Sequence, residues 1–180
     1  LTAREVVNNY SLSELTKVFR EYGEDKYSYQ IAKNIVNSRE KKKIETTYDL
    51  VEIIKASKPK SELAKHGHPA KQIFQALRIE VNDELNALEE ALNKTVKFLN
   101  VGGRLVIITF HSLEDRIVKR FFKKMSVIEG NRLNDYLNPS EIPTPDFKEI
   151  NKKVIVASED EISKNHRSKS AKLRILERIK

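Results

Sequence analysis

The chain has 180 residues, with 34 Lys or Arg against 26 Asp or Glu and a formal net charge of +8. Its 39% apolar content can fill a core, and 33% charged residues with only 5 Gly and 5 Pro point to a helix-rich, well-solvated globular protein. Zero cysteines exclude a disulfide framework and any thiolate metal site. No apolar run approaches the ~18 residues of a membrane span, and no signal peptide is visible, so a reducing cytoplasm is the expected compartment.

The opening "LTAREV" is a finished helix entry. Thr2 stands at the N-cap, Glu5 answers three residues on, and Leu1 and Val6 are placed for a hydrophobic staple. A chain that begins on a staple residue implies a further N-terminal portion. "SLSELTKVFREYG" repeats the pattern, with Ser11 as cap, Glu14 as its partner, Tyr10 and Leu15 as staple and Gly23 as the stop. A third helix carries Ile31, Ala32, Ile35 and Val36; a fourth starts at Thr46 or Thr47 and carries Leu50, Val51, Ile53 and Ile54. Residues 57–69 read as a loop. Its His66 and His68 have no third ligand near them in the sequence, so a metal site is not expected.

From Pro69, apolar residues from Ile73 to Leu99 step by three or four, predicting one long helix or two with a kink. "NVGG" (Asn100 to Gly103) ends it. The apolar run from Leu105 to Ile108 predicts a buried strand over 104–110, and a helix follows, as in the αβα unit of a parallel sheet. Between them lies "FHSLED". Ser112 fits an N-cap with Asp115 as reciprocal partner. His111 sits at the carboxyl end of the strand, where open α/β sheets place ligands. It either donates a hydrogen bond or takes a proton there, or merely joins strand to helix.

The helix beyond is apolar on one side and cationic on the other, through Arg116, Lys119, Arg120, Lys123 and Lys124. That face is either solvated surface or a phosphate contact. Residues 126–152, with Pro139, Pro143 and Pro145, read as a long loop. Strands are expected at 153–157 and 171–179, the second with a helix as competitor, joined as an antiparallel hairpin. Over residues 164–180, seven Lys or Arg face one acid, Glu177, which suits a polyanion or a solvated tail. About three strands fall short of the five to seven of a doubly wound nucleotide fold. The adjacent glycines, Gly102 and Gly103, precede a strand rather than a helix, the wrong order for a phosphate loop.

Three stretches, "HPAKQIFQALRIEVNDEL" (His68 to Leu85), "GGRLVIITFHSLEDRIVKRFF" (Gly102 to Phe122) and "NHRSKSAKLRILER" (Asn165 to Arg178), carry a family resemblance. Together with "LTAREVVNNYSLSELTKVFREYGE" and "IAKNIV", they resemble the bacterial small-subunit ribosomal RNA cytosine-N4 methyltransferases, which use S-adenosylmethionine. The resemblance implies an α/β fold: the C-terminal half of a Rossmann-like methyltransferase sheet plus an α-helical inserted subdomain. Residues 1–70 would be the insertion, helping to recognise substrate, and 71–180 the C-terminal part of the catalytic domain. The family's cofactor-binding glycine motif precedes the insertion, so no cofactor-binding residue is assigned to this chain.

By the same resemblance His111, Ser112 and Asp115 form the rim of the active-site cleft. His111 would orient base or cofactor, and Ser112 and Asp115 would fix the loop. Lys71, Arg78, Arg116, Arg120, Arg167, Lys169 and Arg174 are the expected RNA contacts, with small-subunit ribosomal RNA or the ribosomal subunit as partner. Two readings compete: a methyltransferase piece inactive alone, and a non-catalytic basic module that binds RNA or protein. A strand at 104–110 without its neighbours would leave an apolar edge, so a homodimer, a strand swap or a larger chain is expected to cover it.

Overall fold

Helix entries organise the first half of the chain. Thr2, Ser11 and Thr46 each accept the backbone N–H of the third helical residue, while Glu5, Glu14 and Asp49 reach back to the cap's own N–H. These capping boxes start α1 (Ala3–Asn9), α2 (Leu12–Glu21) and α4 (Thr47–Ala56). The expected staple at the first of them is loose: Val6 is buried, but Leu1 is exposed. Between α2 and α4 lies α3 (Ser28–Lys41); α5 (Lys60–Leu63) and α6 (Lys71–Asn82) follow. The computed structural model describes residues 1–128 and 144–180.

The chain divides into two compact units, Leu1–Glu84 and Leu85–Lys180. α6, placed by the sequence reading at the head of the second block, packs against α1 and α2 in the first. Its Ile73, Ala76 and Leu77 join Val6, Leu15, Phe19, Ile31, Ile35 and Ile54 in one buried cluster. Each such side chain contributes roughly 1.5–3 kcal/mol when fully removed from water.

Gly23 serves this packing differently from expectation. α2 ends at Glu21, and the left-handed residue of the turn is Glu24, at φ 50°. Gly23 is needed for room: a Cβ there would lie 2.6 Å from the Phe19 carbonyl oxygen and 3.0 Å from that of Gln72. The long apolar stripe that begins in α6 is two helices. Asp83, at φ 50° and ψ 41°, breaks it before α7 (Glu84–Thr95).

A buried ion pair ties the loops of the first unit. Lys58 Nζ donates to Asp25 Oδ2 at 2.5 Å and to the Pro69 carbonyl at 2.8 Å, and the Tyr27 N–H donates to Asp25 Oδ1 at 2.9 Å. Elsewhere in this unit, Tyr10 donates its hydroxyl to Glu80 at 2.7 Å, and that hydrogen bond, more than burial, pushes the phenol pKa up to about 12.

In the second unit, β1 (Arg104–Thr109), α8 (Ser112–Ser126), β2 (Phe147–Glu149), β3 (Ile155–Val156), α9 (Glu159–Lys164) and β4 (Lys172–Arg178) follow α7. β4 is central. It pairs with β1 on one side and with β2 and β3 on the other, and every pairing among the described residues is antiparallel. The parallel neighbour that the sequence reading gave this strand is not among these pairings, because an apolar run signals burial but not the direction of the neighbouring strand. Among the described residues the run is covered on one face only. Leu105 and Thr109 face inward, whereas Val106 and Ile108 are 50% and 53% exposed.

The late hairpin and the strand at the chain's end are present, and the helical alternative for 171–179 is not adopted. β2 lies inside the expected 126–152 loop, where three residues are too few to show a period. Residues 129–143, including Pro139 and Pro143, lie outside the described residues. Leu92, Val96, Leu105, Val118, Phe122, Phe147 and Leu176 form the unit's core, on the sheet face that α8 covers. No helix among the described residues is long and apolar enough to cross a membrane.

Candidate active-site rim and RNA-facing residues

β1 runs out at Thr109, and the chain turns through Phe110 and His111 into α8. The helix is capped one residue earlier than the sequence reading placed it. His111, in extended conformation, is the N-cap: its Nδ1 accepts the Glu114 N–H at 3.3 Å. Glu114 Oε2 in return accepts the N–H groups of Phe110 at 2.8 Å and His111 at 3.2 Å. Ser112 is the first residue of the helix, not its cap. The signal for this register was present, since Glu114 stands three residues after His111 and glutamate is the better reciprocal partner.

An imidazole that accepts at Nδ1 carries its proton on Nε2. Nε2 lies 3.3 Å from Glu114 Oε1 but forms no hydrogen bond there, and it is buried without a partner in the structure. Buried polar atoms are rarely left so.

Asp115 points the other way, into the sheet. Its two carboxylate oxygens take the Arg174 guanidinium at 2.8 and 3.2 Å, and Lys172 Nζ approaches at 3.4 Å. The Arg174 hydrogen bond, reinforced by the charges of Arg174 and Lys172, holds the Asp115 pKa below the ordinary carboxylate value against the opposing effect of burial. Register explains the meeting. Arg174 pairs with Ile107 on the face of β4 that looks toward α8, and Asp115 lies in the first turn of that helix. The pair pins the start of α8 to the middle of the sheet.

Arg174 stands apart from the other expected RNA contacts: it is 6% exposed and paired with Asp115, so its guanidinium is not at the surface of this chain. Alternation assigns Arg174 to the inner face, and the count of basic residues along the tail hid that assignment. The other expected contacts are at the surface. Arg116 and Arg120 lie on the outer side of α8, and Arg167 and Lys169 flank the buried Ser168 in a short 3-10 helix, His166–Ser170. Lys71 opens α6 and is exposed, and Arg78 is engaged bidentately by Glu84 at 2.7 and 2.9 Å. His68, left without a role by the sequence reading, accepts the Ala70 N–H through Nδ1 at 3.3 Å ahead of α6.

The glycines supply no cofactor cradle. Gly102, at φ 82°, donates its N–H to the Arg178 carbonyl at 2.7 Å, and Gly103 donates to Asn100 at 2.8 Å. Both are committed to the turn that leads into β1.

Comparison with known proteins covers almost the whole chain. The model of the MraW methylase family matches residues 1–179. Proteins named ribosomal RNA small subunit methyltransferase H are similar throughout: 49% identical over 180 residues in Streptococcus mutans, and 52% in Spiroplasma kunkelii. All of this chain is covered in both, against 56% and 58% of the relatives. The relative from Streptococcus dysgalactiae is 48% identical over 180 residues. The chain thus spans a little over half the length of the curated relatives it matches.

Proposed function

We propose, because the chain belongs to the MraW methylase family, that it works as part of an S-adenosylmethionine-dependent enzyme that methylates the N4 amino group of a cytidine in small-subunit ribosomal RNA. The match over residues 1–179 carries this reading. S-adenosylmethionine supplies the methyl group. The residues described here do not fit that donor, so its binding is assigned to the part of the relatives' length that this chain does not span. The chain alone is then inactive, and its first unit is the inserted, substrate-recognising subdomain.

The chemistry explains what the rim must do. The lone pair of cytosine N4 is delocalised into the ring, so the amino group is a poor nucleophile. Holding it in line for attack, with hydrogen bonds that strengthen as the nitrogen pyramidalises, supplies most of the rate. No covalent nucleophile on the protein is needed. His111 offers its orphaned Nε2–H to the base or to the donor's surroundings. Asp115 acts through Arg174 as a positioning residue, holding the start of α8 on the sheet. Arg116, Arg120, Arg167, Lys169 and Lys71 are assigned to the RNA backbone, which structured RNA presents as its main grip.

The test uses the intact protein and small ribosomal subunits with a labelled methyl donor. His111→Asn keeps a good N-cap acceptor but removes the Nε2 donor. We expect kcat to fall at least tenfold, with donor binding and melting temperature unchanged. A parental kcat in this variant retires the role of His111. Failure of the parent to methylate any cytidine N4 retires the enzyme reading in favour of a basic RNA-binding module.

A further inference from the structure

The first unit carries an open cleft of about 590 Å³ between α2 and the start of α3, away from every residue discussed so far as a site. Its lining includes Leu12, Thr16, Lys17, Arg20 and Glu21 of α2 and Tyr29 of α3. We propose that this cleft seats one unstacked nucleotide of single-stranded RNA, with the base on the Tyr29 ring and its phosphates on Lys17 and Arg20. The identification of RNA as the ligand rests on the methyltransferase reading; the site itself rests on three observations.

The volume is in the range of ligand sites, roughly 300–1,000 Å³. Tyr29 is 53% exposed at the cleft, although its neighbours Ser28, Ile31 and Ala32 on α3 are buried. An exposed aromatic ring beside cations is the arrangement that grips single strands, because every base has a face to stack. The third observation is electrostatic. Several cations of this unit, Arg4, Lys26 and Lys58 among them, hold a carboxylate, and others, such as Lys33 and Lys60, do not; what sets the next two apart is that both line the cleft. Lys17 and Arg20 hold none among the described residues, even though Glu21 is one helical turn from Lys17. Two uncommitted cations three residues apart lie on one side of the helix, at a spacing that lets both reach a single backbone segment. Leu12 supplies an apolar floor. The Thr16 hydroxyl donates to the Leu12 carbonyl at 2.7 Å, which leaves its oxygen to accept from a ribose or base.

The experiment measures binding of a short fluorescent oligouridylate to the intact protein across a salt series. Tyr29→Ala should weaken binding roughly tenfold, and Tyr29→Phe should restore it, since the ring and not the hydroxyl does the stacking. Replacing Lys17 and Arg20 together by Gln should reduce the slope of log affinity against log salt by about 0.7 for each phosphate lost. Parental affinity in Tyr29→Ala, or a loss that Tyr29→Phe does not repair, overturns the proposal. A parent that methylates small subunits yet does not bind the probe also overturns it, while the methyltransferase reading stands. A parent whose probe binding depends on Tyr29 but which methylates nothing leaves the cleft supported and removes the enzyme reading.

Discussion

The two units solve burial in opposite ways. The helical unit closes on itself: its apolar stripes meet in one cluster, and its most buried charges, Asp25 and Lys58, are paired. Among the described residues the sheet unit is covered on one side only. α8 covers the face that carries Leu105, Thr109, Arg174 and Leu176, while Val106, Ile108 and Phe110 stay half exposed on the other. Among the described residues β1 has a strand on one edge alone. The difference teaches that helices can turn their apolar stripes toward one another and close a core among themselves, whereas a sheet has two faces and needs a layer on each to bury both.

That comparison can be attacked first at the closed unit. Lys58→Met strands the Asp25 carboxylate in the core, and removing one partner of a buried pair costs ~3–5 kcal/mol. Chemical unfolding should show the loss, and Asp25→Asn in the same background should recover part of it by removing the unpaired charge. Stability equal to the parent would mean that the pair is incidental and that the unit is held by apolar packing alone.

The sheet unit has its own buried pair, with a smaller expected effect. Arg174→Met should cost about 2–3 kcal/mol, the worth of hydrogen bonds to a charged group together with the desolvated carboxylate left behind. Its pH dependence has a definite sign. The folded pKa of Asp115 lies below its unfolded value, near ~4. The pair's contribution is therefore fully present above that pH and lost as pH falls through the lower folded value. The stability difference between parent and Asp115→Asn should accordingly shrink in acid. A difference independent of pH across that window would remove the ion pair as its source.

The smallest effect belongs to the open face. Ile108→Lys should change unfolding free energy by less than about 0.5 kcal/mol, because the side chain is already half in water. It should nevertheless reduce self-association of the isolated chain in light scattering, as charge on an exposed edge does. A large destabilisation would show that this face is covered from within.

Much of the helical unit was legible in the sequence because its signals are local. Thr2 and Ser11 announce their helices within four residues and each cap formed with the partner expected of it, while at the fourth helix Thr46, of the two candidates, is the cap and Asp49 answers it. The sheet was less legible because its determinants are distant. Nothing near Arg174 says that Asp115, 59 residues earlier, will claim it. The sequence places a strand over 171–179 and counts the tail's basic residues, but it does not say which of them turn inward. The cap at His111 was within reach and was misplaced by one residue, through preferring a serine hydroxyl to an imidazole. The stripe allowed one helix or two, and it did not locate the break at Asp83, since an aspartate in left-handed conformation leaves no trace in an apolar period.

Gly23 leaves a final consequence for how the helical unit can vary. The turn that follows α2 meets α6 at this point through main chain, with carbonyl oxygens where a side chain would otherwise stand. A separation set by main-chain atoms cannot be tuned by trading larger for smaller residues around it. The outward surface of α2 is thereby insulated from drift in the interior, and a scaffold of that kind can exchange surface residues freely without moving the helix that carries them.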